Sequence, residues 1–291
     1  MYPSRFGYES PKTVEEAVAI LDASGGEAKI LAGGQSLVPM LKLRFAAPEM
    51  LVDINNIDGL RYINVEADGT VRIGALTRHE DLEYSDVLPT ASPVLAAAAH
   101  LVADPIVRTR GTFVGSVCHA DPQGDWAAAM TALGGHIVAQ GPNGKRTIDV
   151  KDFVIGPFQN ALAFNEIAIE AVIPAPKGKA TGSYLKLERR VGDFATASVA
   201  VSLDMVGDVV ARAGSALAGV GGRTIDATDA VASLVGQKLT EENIKTAAEA
   251  VAAAAEPRSD HRGTSDYKRQ IVKTFVIRIL TGLAESSQKA A

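Results

Sequence analysis

The run Ala32-Gly33-Gly34-Gln35-Ser36 constrains the fold of this chain more than any other segment. It follows Lys29-Ile-Leu-Ala32, which reads as a short buried strand, and leads into a helical turn containing Pro39. Residues without side chains at a strand-to-helix turn let a phosphate approach the backbone and accept several N–H bonds, and the helix dipole adds to the attraction. A plain tight turn uses Gly-Gly equally well, so both readings stand on these residues alone. The segment has neither the G-x-G-x-x-G spacing of a Rossmann turn nor the lysine of a P-loop, which disfavours those two cofactor modes.

A second segment, Gly111-Thr112-Phe113-Val114-Gly115-Ser116, repeats the chemistry with glycines for close approach and hydroxyls as donors to phosphate oxygens. Asp125 downstream can accept from sugar hydroxyls; equally, it can cap the helix that begins at Trp126. Two such loops could grip one dinucleotide from opposite sides. The whole run from Arg110 to Asp125 is too irregular for either period and too rich in glycine and short polar residues for an ordinary core element, so it reads as a site.

The rest of the chain supplies a frame for these loops. Thr13-Val-Glu-Glu16 is a capping box before a helix over residues 13–23, and Met50 to Ile54 is an apolar strand. Arg61–Val65 and Val71–Ala75 form a hairpin, Thr77-Arg-His-Glu80 repeats the capping-box pattern, and an Ala-rich helix runs from Pro93 to Val102, ended by Asp104-Pro105. Trp126–Leu133 is helical, and His136–Ala139 pairs with Lys145–Ile148. The Pro-, Gly- and Lys-rich stretch Pro174–Gly182 reads as an exposed connection. It divides the chain into residues 1–176, with subdomains of about 1–56 and 57–176, and residues 177–291. Beyond it lie strands Tyr184–Arg189, Ser198–Val206 and Val209–Leu217, helices from about Asp226 and Thr240, and a final helix Ser265–Ala284.

A formal net charge of −5 and a pI near 5.6 argue against a polyanionic partner, which needs clustered excess Lys and Arg. With no leader pattern and no long apolar run, a cytoplasmic location is expected. Cys118 is the only cysteine, so neither a disulfide nor an iron–sulfur cluster can form within the chain, and the 5 scattered histidines suggest no metal site.

Four ordered motifs carry a resemblance: Lys29 to Arg44, the Arg110-Gly-Thr segment, the Ala-Asp-Pro-x-x-Asp run ending at Asp125, and Tyr184-Leu-Lys-Leu-Glu-Arg-Arg-Val-Gly-Asp-Phe-Ala195. Together they resemble the FAD-binding medium subunit of the carbon monoxide dehydrogenase and xanthine dehydrogenase family of molybdenum hydroxylases, most nearly its aerobic carbon monoxide branch. The resemblance implies an α+β fold: a two-part vanillyl-alcohol-oxidase-like FAD domain followed by a C-terminal α+β domain covering the isoalloxazine ring. It implies that Ala32, Gly33, Gly34, Gln35 and Ser36, with Gly111, Thr112, Phe113, Val114 and Gly115, hold the pyrophosphate, and that Lys29, Leu31, Leu37 and Ser116 are also cofactor-binding residues. Asp125 would sit on the flavin's polar tail and Leu101 or Val102 near the ring, with Lys186, Asp193 and Phe194 bringing the second domain over it.

The resemblance also implies partners: a small subunit with two [2Fe–2S] clusters and a large molybdopterin subunit that oxidises the substrate, assembled as a dimer of heterotrimers. The complex would lie in the cytoplasm or peripherally at the inner membrane. Electrons would pass through FAD to quinone, NAD or oxygen, and sister enzymes acting on nicotine, caffeine, aldehydes or aromatic acyl-CoA share the pattern. One departure stands out: Val114 occupies a position where the family usually has glycine, and a β-branched residue tolerates positive φ poorly. That departure motivates a second reading, a cofactor-free interaction subunit. Cys118, where a small residue is usual, reads as a buried spacer, and His119 as structural. A self-sufficient flavin oxidase would need a substrate pocket with a base, for which no coherent residue set stands out.

Overall fold

Thr13 opens the first helix as its pattern predicts. Its hydroxyl accepts from the Glu16 N–H at 3.1 Å, and the Glu16 carboxylate accepts from the Lys12 N–H at 2.8 Å. Such a cap contributes about 1 kcal/mol. In the computed structural model, which describes residues 2–290, helix α1 (Val14–Ala23) buries Ala17, Val18 and Leu21. It packs on a small parallel sheet of β1 (Gly7–Glu9), β2 (Ala28–Leu31) and β3 (Met50–Asp53), in the order β1-β3-β2. Parallel neighbours need crossovers, and α1 and α2 (Leu37–Leu43) supply them.

The second part is an antiparallel sheet in the order β4-β5-β10-β6-β7. Its strands are β4 (Ile63–Val65), β5 (Val71–Gly74), β6 (His136–Gly141), β7 (Gly144–Asp149) and β10 (Ile167–Ile173). A short hairpin of β8 (Val154–Gly156) and β9 (Gln159–Asn160) stands beside it. Around these strands lie α3 (His79–Glu83), α4 (Leu88–Ala91), α5 (Pro93–Ala99), α6 (Pro105–Arg108), α7 (Phe113–His119), α8 (Asp125–Ala132) and α9 (Val150–Phe153).

The third part is an antiparallel sheet of β11 (Lys179–Leu187), β12 (Ala197–Val206), β13 (Val209–Ala218) and β14 (Ile225–Asp226), in that order. Helices α10 (Glu241–Ala254) and α11 (Ser265–Ala290) pack on one face, where Val199, Val201 and Leu203 alternate inward along β12. The opposite face offers Tyr184, Ala200 and Ala216 to the core that contains α5 and α8. The sheet is therefore buried on both sides, which accounts for the nearly unbroken burial of β12. Among the described residues no helix is long and apolar enough to cross a membrane.

Several expectations need correction. The irregular run from Arg110 to Asp125 contains a true helix, α7, whose inward residues Phe113, Val114 and Val117 are at helical spacing hidden by the intervening Gly115. The second capping box is displaced by one residue: Arg78 is the N-cap and Asp81 accepts its N–H at 2.8 Å, while Thr77 bonds Tyr62. The Ala-rich helix stops at Ala99, and Asp104-Pro105 begins α6 with the Asp104 carboxylate accepting from the Val107 N–H. Part of the supposed connection Pro174–Gly182 is strand, since β11 starts at Lys179. The helix expected from Asp226 is instead β14 followed by a 3₁₀ turn, Asp229–Leu234.

Candidate cofactor site

The first loop runs from the end of β2 into α2, and Gly34 turns the chain at φ +75°, a conformation that favours glycine. Gly33 is needed for a different reason. A Cβ there would lie 2.4 Å from the Arg110 carbonyl oxygen, 2.8 Å from Gly111 Cα and 2.9 Å from the Thr112 nitrogen. The two glycine loops, about eighty residues apart in sequence, thus lie backbone against backbone. Gly111 and Gly115 are equally confined, a Cβ falling 2.6 Å from the His79 ring in one case and 2.4 Å from Thr112 Oγ1 in the other.

These loops form one wall of a cleft of about 640 Å³. Lys29, Ala32, Gly33, Gly34, Gln35, Ser36 and Leu37 line it from the first loop, and Gly111, Thr112, Val114, Gly115 and Ser116 from the second. Val102, Asp125, Lys186, Asp193 and Phe194 line it as well. Three expected residues do not. Leu31 lies behind Gly34, Leu101 offers only its carbonyl to Lys186, and Phe113 is fully buried edge-on against Trp126, with ring centroids 4.8 Å apart. His79, Ala103, Val107, His119, Phe158 and Asn160 line the cleft without having been singled out as ligands from sequence.

Val114 carries none of the strain that replacing a glycine suggested. It sits in α7 at negative φ and is 1% exposed, a position that a β-branched residue fills without left-handed backbone strain. The backbone shift expected from it is not required.

Asp125 is not a helix N-cap: Gly124 holds that place. Its carboxylate is buried and accepts from Tyr184 Oη at 2.6 Å and Lys186 Nζ at 3.1 Å. Lys186 also donates to the Leu101 carbonyl at 2.8 Å and faces Glu188 at 3.3 Å. Burial pushes the Asp125 carboxyl above its ordinary range, while Lys186 and Tyr184 pull it back. Burial and the same carboxylate hold the Tyr184 phenol well above its usual value. Asp193 is fixed otherwise: it accepts from Arg262 at 3.0 Å, and that guanidinium keeps its carboxyl well below the usual carboxylate range. Phe194 stands beside it at the cleft mouth, 52% exposed. Burial drives the Cys118 thiol up to about 12, which leaves no reactive thiolate at neutral pH.

The donor set suits a dinucleotide. Among the described residues the main-chain N–H groups of Gly33, Gly34, Gln35 and Ser36 find no acceptor within the protein, although they line the cleft. Orphan amides at a strand-to-helix turn are satisfied by an anion such as a pyrophosphate. Apolar side chains including Met40, Ile54, Val107 and Ile167 line the same cleft beside these polar groups, the mixture expected of a small-molecule site.

The fold and the cleft together define a two-domain FAD-binding flavoprotein. Residues 4–176 match the sequence model of the FAD binding domain in molybdopterin dehydrogenase, and residues 182–283 match that of the CO dehydrogenase flavoprotein C-terminal domain. The chain belongs to the family of FAD-binding medium subunits of molybdenum hydroxylases that includes the carbon monoxide dehydrogenase medium chains. It is 43% identical to the carbon monoxide dehydrogenase medium chain of Hydrogenophaga pseudoflava over 96% of its length and 97% of the relative's. It is 34% identical to the glyceraldehyde dehydrogenase medium chain of Sulfolobus acidocaldarius, covering 98% and 100%. A solved structure of the Hydrogenophaga pseudoflava carbon monoxide dehydrogenase superposes with a TM-score of 0.92 at 44% identity, covering 99% of both chains. Quinoline 2-oxidoreductase from Pseudomonas putida 86 reaches 0.89 at 32% identity, again over 99% of both. The chain is thus the flavoprotein subunit of an oxidoreductase complex.

Proposed function

We propose that this chain works in an aerobic carbon monoxide dehydrogenase, carrying electrons from the [2Fe–2S] clusters of a small subunit to an external acceptor such as quinone, NAD or oxygen. The large subunit, with its molybdopterin, would oxidise CO and water to CO2. The carrying observation is the 43% identity to a carbon monoxide dehydrogenase medium chain over nearly both full lengths, joined to a cleft with the donors that FAD requires. FAD, when bound, supplies the ability to take electrons singly and give them up in pairs.

The chain's own residues bind and orient. Amides of Gly33 to Ser36, with the α7 end of the second loop, hold the pyrophosphate. Asp125 receives the sugar-like tail, kept in place by Tyr184 and Lys186. Val102 and Phe194 flank the ring, and Arg262 fixes the Asp193 turn that carries Phe194. We place the division between the FAD domain and its cover at residues 176–177, and the assembly as a dimer of heterotrimers in the cytoplasm or at the inner face of the membrane.

A sister hydroxylase is the other reading, favoured by the 34% identity to a glyceraldehyde dehydrogenase medium chain over 98% of this chain and 100% of the relative. The substrate would meet only the large subunit, so the discriminating experiment uses the whole complex. Anaerobic addition of CO should bleach the flavin absorption within the enzyme's turnover time. Bleaching by an aldehyde or an N-heterocycle but not by CO would assign it to a sister enzyme.

A further inference from the structure

Phe158 has a conformation that its residue type disfavours. It follows Pro157 in the two-residue turn joining Gly156 to Gln159, and its φ is +57°. Proline then a positive φ is the type II pattern, whose second central position selects glycine. A bulky aromatic held there is strained and persists only where its surroundings over-determine it. They do so here. The Phe158 N–H donates to the Ala120 carbonyl at 2.9 Å, and Asn160 Nδ2 donates to the Cys118 carbonyl at 2.7 Å, latching the hairpin to the end of α7. Ala120 is itself left-handed, at φ +53°. Two strained residues thus hold each other.

The strain stabilises no core contact that would explain it. The Phe158 side chain is 57% exposed, lines the cofactor cleft, and meets the His119 ring with centroids 5.1 Å apart, tilted by 49°. Burial lowers the His119 pKa, against the opposing pull of Asp121, so this ring presents a neutral face at pH 7.

We propose that Phe158, backed by His119, is an aromatic platform on which a flat heterocycle of the bound dinucleotide lies. The proposal rests on the FAD reading above. It accounts for an exposed ring on a cleft wall and for strain kept at a position where glycine would be easier. Stacking against an exposed aromatic is favourable and sequesters both faces from water.

The test is binding by the full chain, stripped of flavin and titrated separately with FAD, ADP and riboflavin. Phe158→Gly relieves the left-handed strain and forfeits little burial, so its flavin-free form should melt at or above the wild-type temperature while FAD affinity falls at least tenfold. Phe158→Tyr should retain affinity. A parallel loss for ADP assigns the platform to adenine, and for riboflavin to the isoalloxazine. Wild-type FAD affinity in Phe158→Gly would overturn the proposal. If that variant melts lower, Phe158→Leu, which keeps bulk without a π face, decides: a tenfold loss supports the platform and full affinity overturns it. A wild-type chain that binds no FAD would instead overturn the cofactor reading itself.

Discussion

At the scale of single residues, the glycines of the site separate into two kinds. Gly34 is required by its own φ of +75°, whereas Gly33 is required by the second loop packed against it. Gly33→Val should therefore pry the loops apart, and Gly34→Val should strain the turn. Both purified variants are expected to hold less than about a tenth of the wild-type flavin, a loss of ~1.4 kcal/mol or more in binding; full occupancy in both would remove the loops from the site. Val114 makes the opposite point. Replacing it with glycine empties a buried helical position and should cost roughly 2–3 kcal/mol of stability with no gain in flavin affinity. Tighter flavin binding in Val114→Gly would show that the family's glycine is there for the cofactor. Asp125 supports the fold as well as the site, because its buried carboxylate accepts from both Tyr184 and Lys186. Lys186 is 1% exposed and depends on it, so Asp125→Ala should cost about 3 kcal/mol, and melting temperature and flavin content should fall together. Lost flavin at an unchanged melting temperature would contradict that coupling.

At the scale of elements, His79 shows how the second loop is supported. It begins α3, its N–H donates to the Gly111 carbonyl, and its ring accepts from Trp126 Nε1 of α8 at 3.0 Å. Burial first, then Arg108 and Arg78, lowers its pKa to about 4. Between that value and the unfolded value of about 6.5 the unfolded chain binds the extra proton. This contribution to stability, on the order of 3 kcal/mol, is therefore complete above pH 6.5 and lost as pH falls toward 4. Melting curves from pH 7.5 to 4.5 should show the loss in wild type and a shallower slope in His79→Gln; parallel slopes would remove His79 as the cause. How much of this was legible in sequence depends on range. Local patterns located α1, the first glycine turn and the β12–β13 pair, because caps, periods and turns are set within a few residues. Helix α7 was hidden because Gly115 and Ser116 interrupt the spacing of Phe113, Val114 and Val117, and two turns are too short to show a period. Tyr184, Lys186 and Glu188 alternate in the sequence, consistent with one strand face, but nothing local says that this face meets Asp125 some sixty residues earlier. Phe158 gave no signal at all, since a Pro-Phe turn looks ordinary until its φ is known.

At the scale of the whole molecule, one sheet joins the two halves of the function. The C-terminal sheet buries one face against its own helices and the other against the FAD domain, and from the second face β11 delivers Lys186 to the cleft. The cleft thus lies between the two domains, lined from both, as a subunit that holds a flavin and passes electrons through it requires. The most direct measurement is native purification of the chain from its source cells, with an absorption spectrum and mass identification of the chains that accompany it. A flavin and iron–sulfur spectrum with one small and one large partner is the predicted result. A lone, colourless chain would contradict the account.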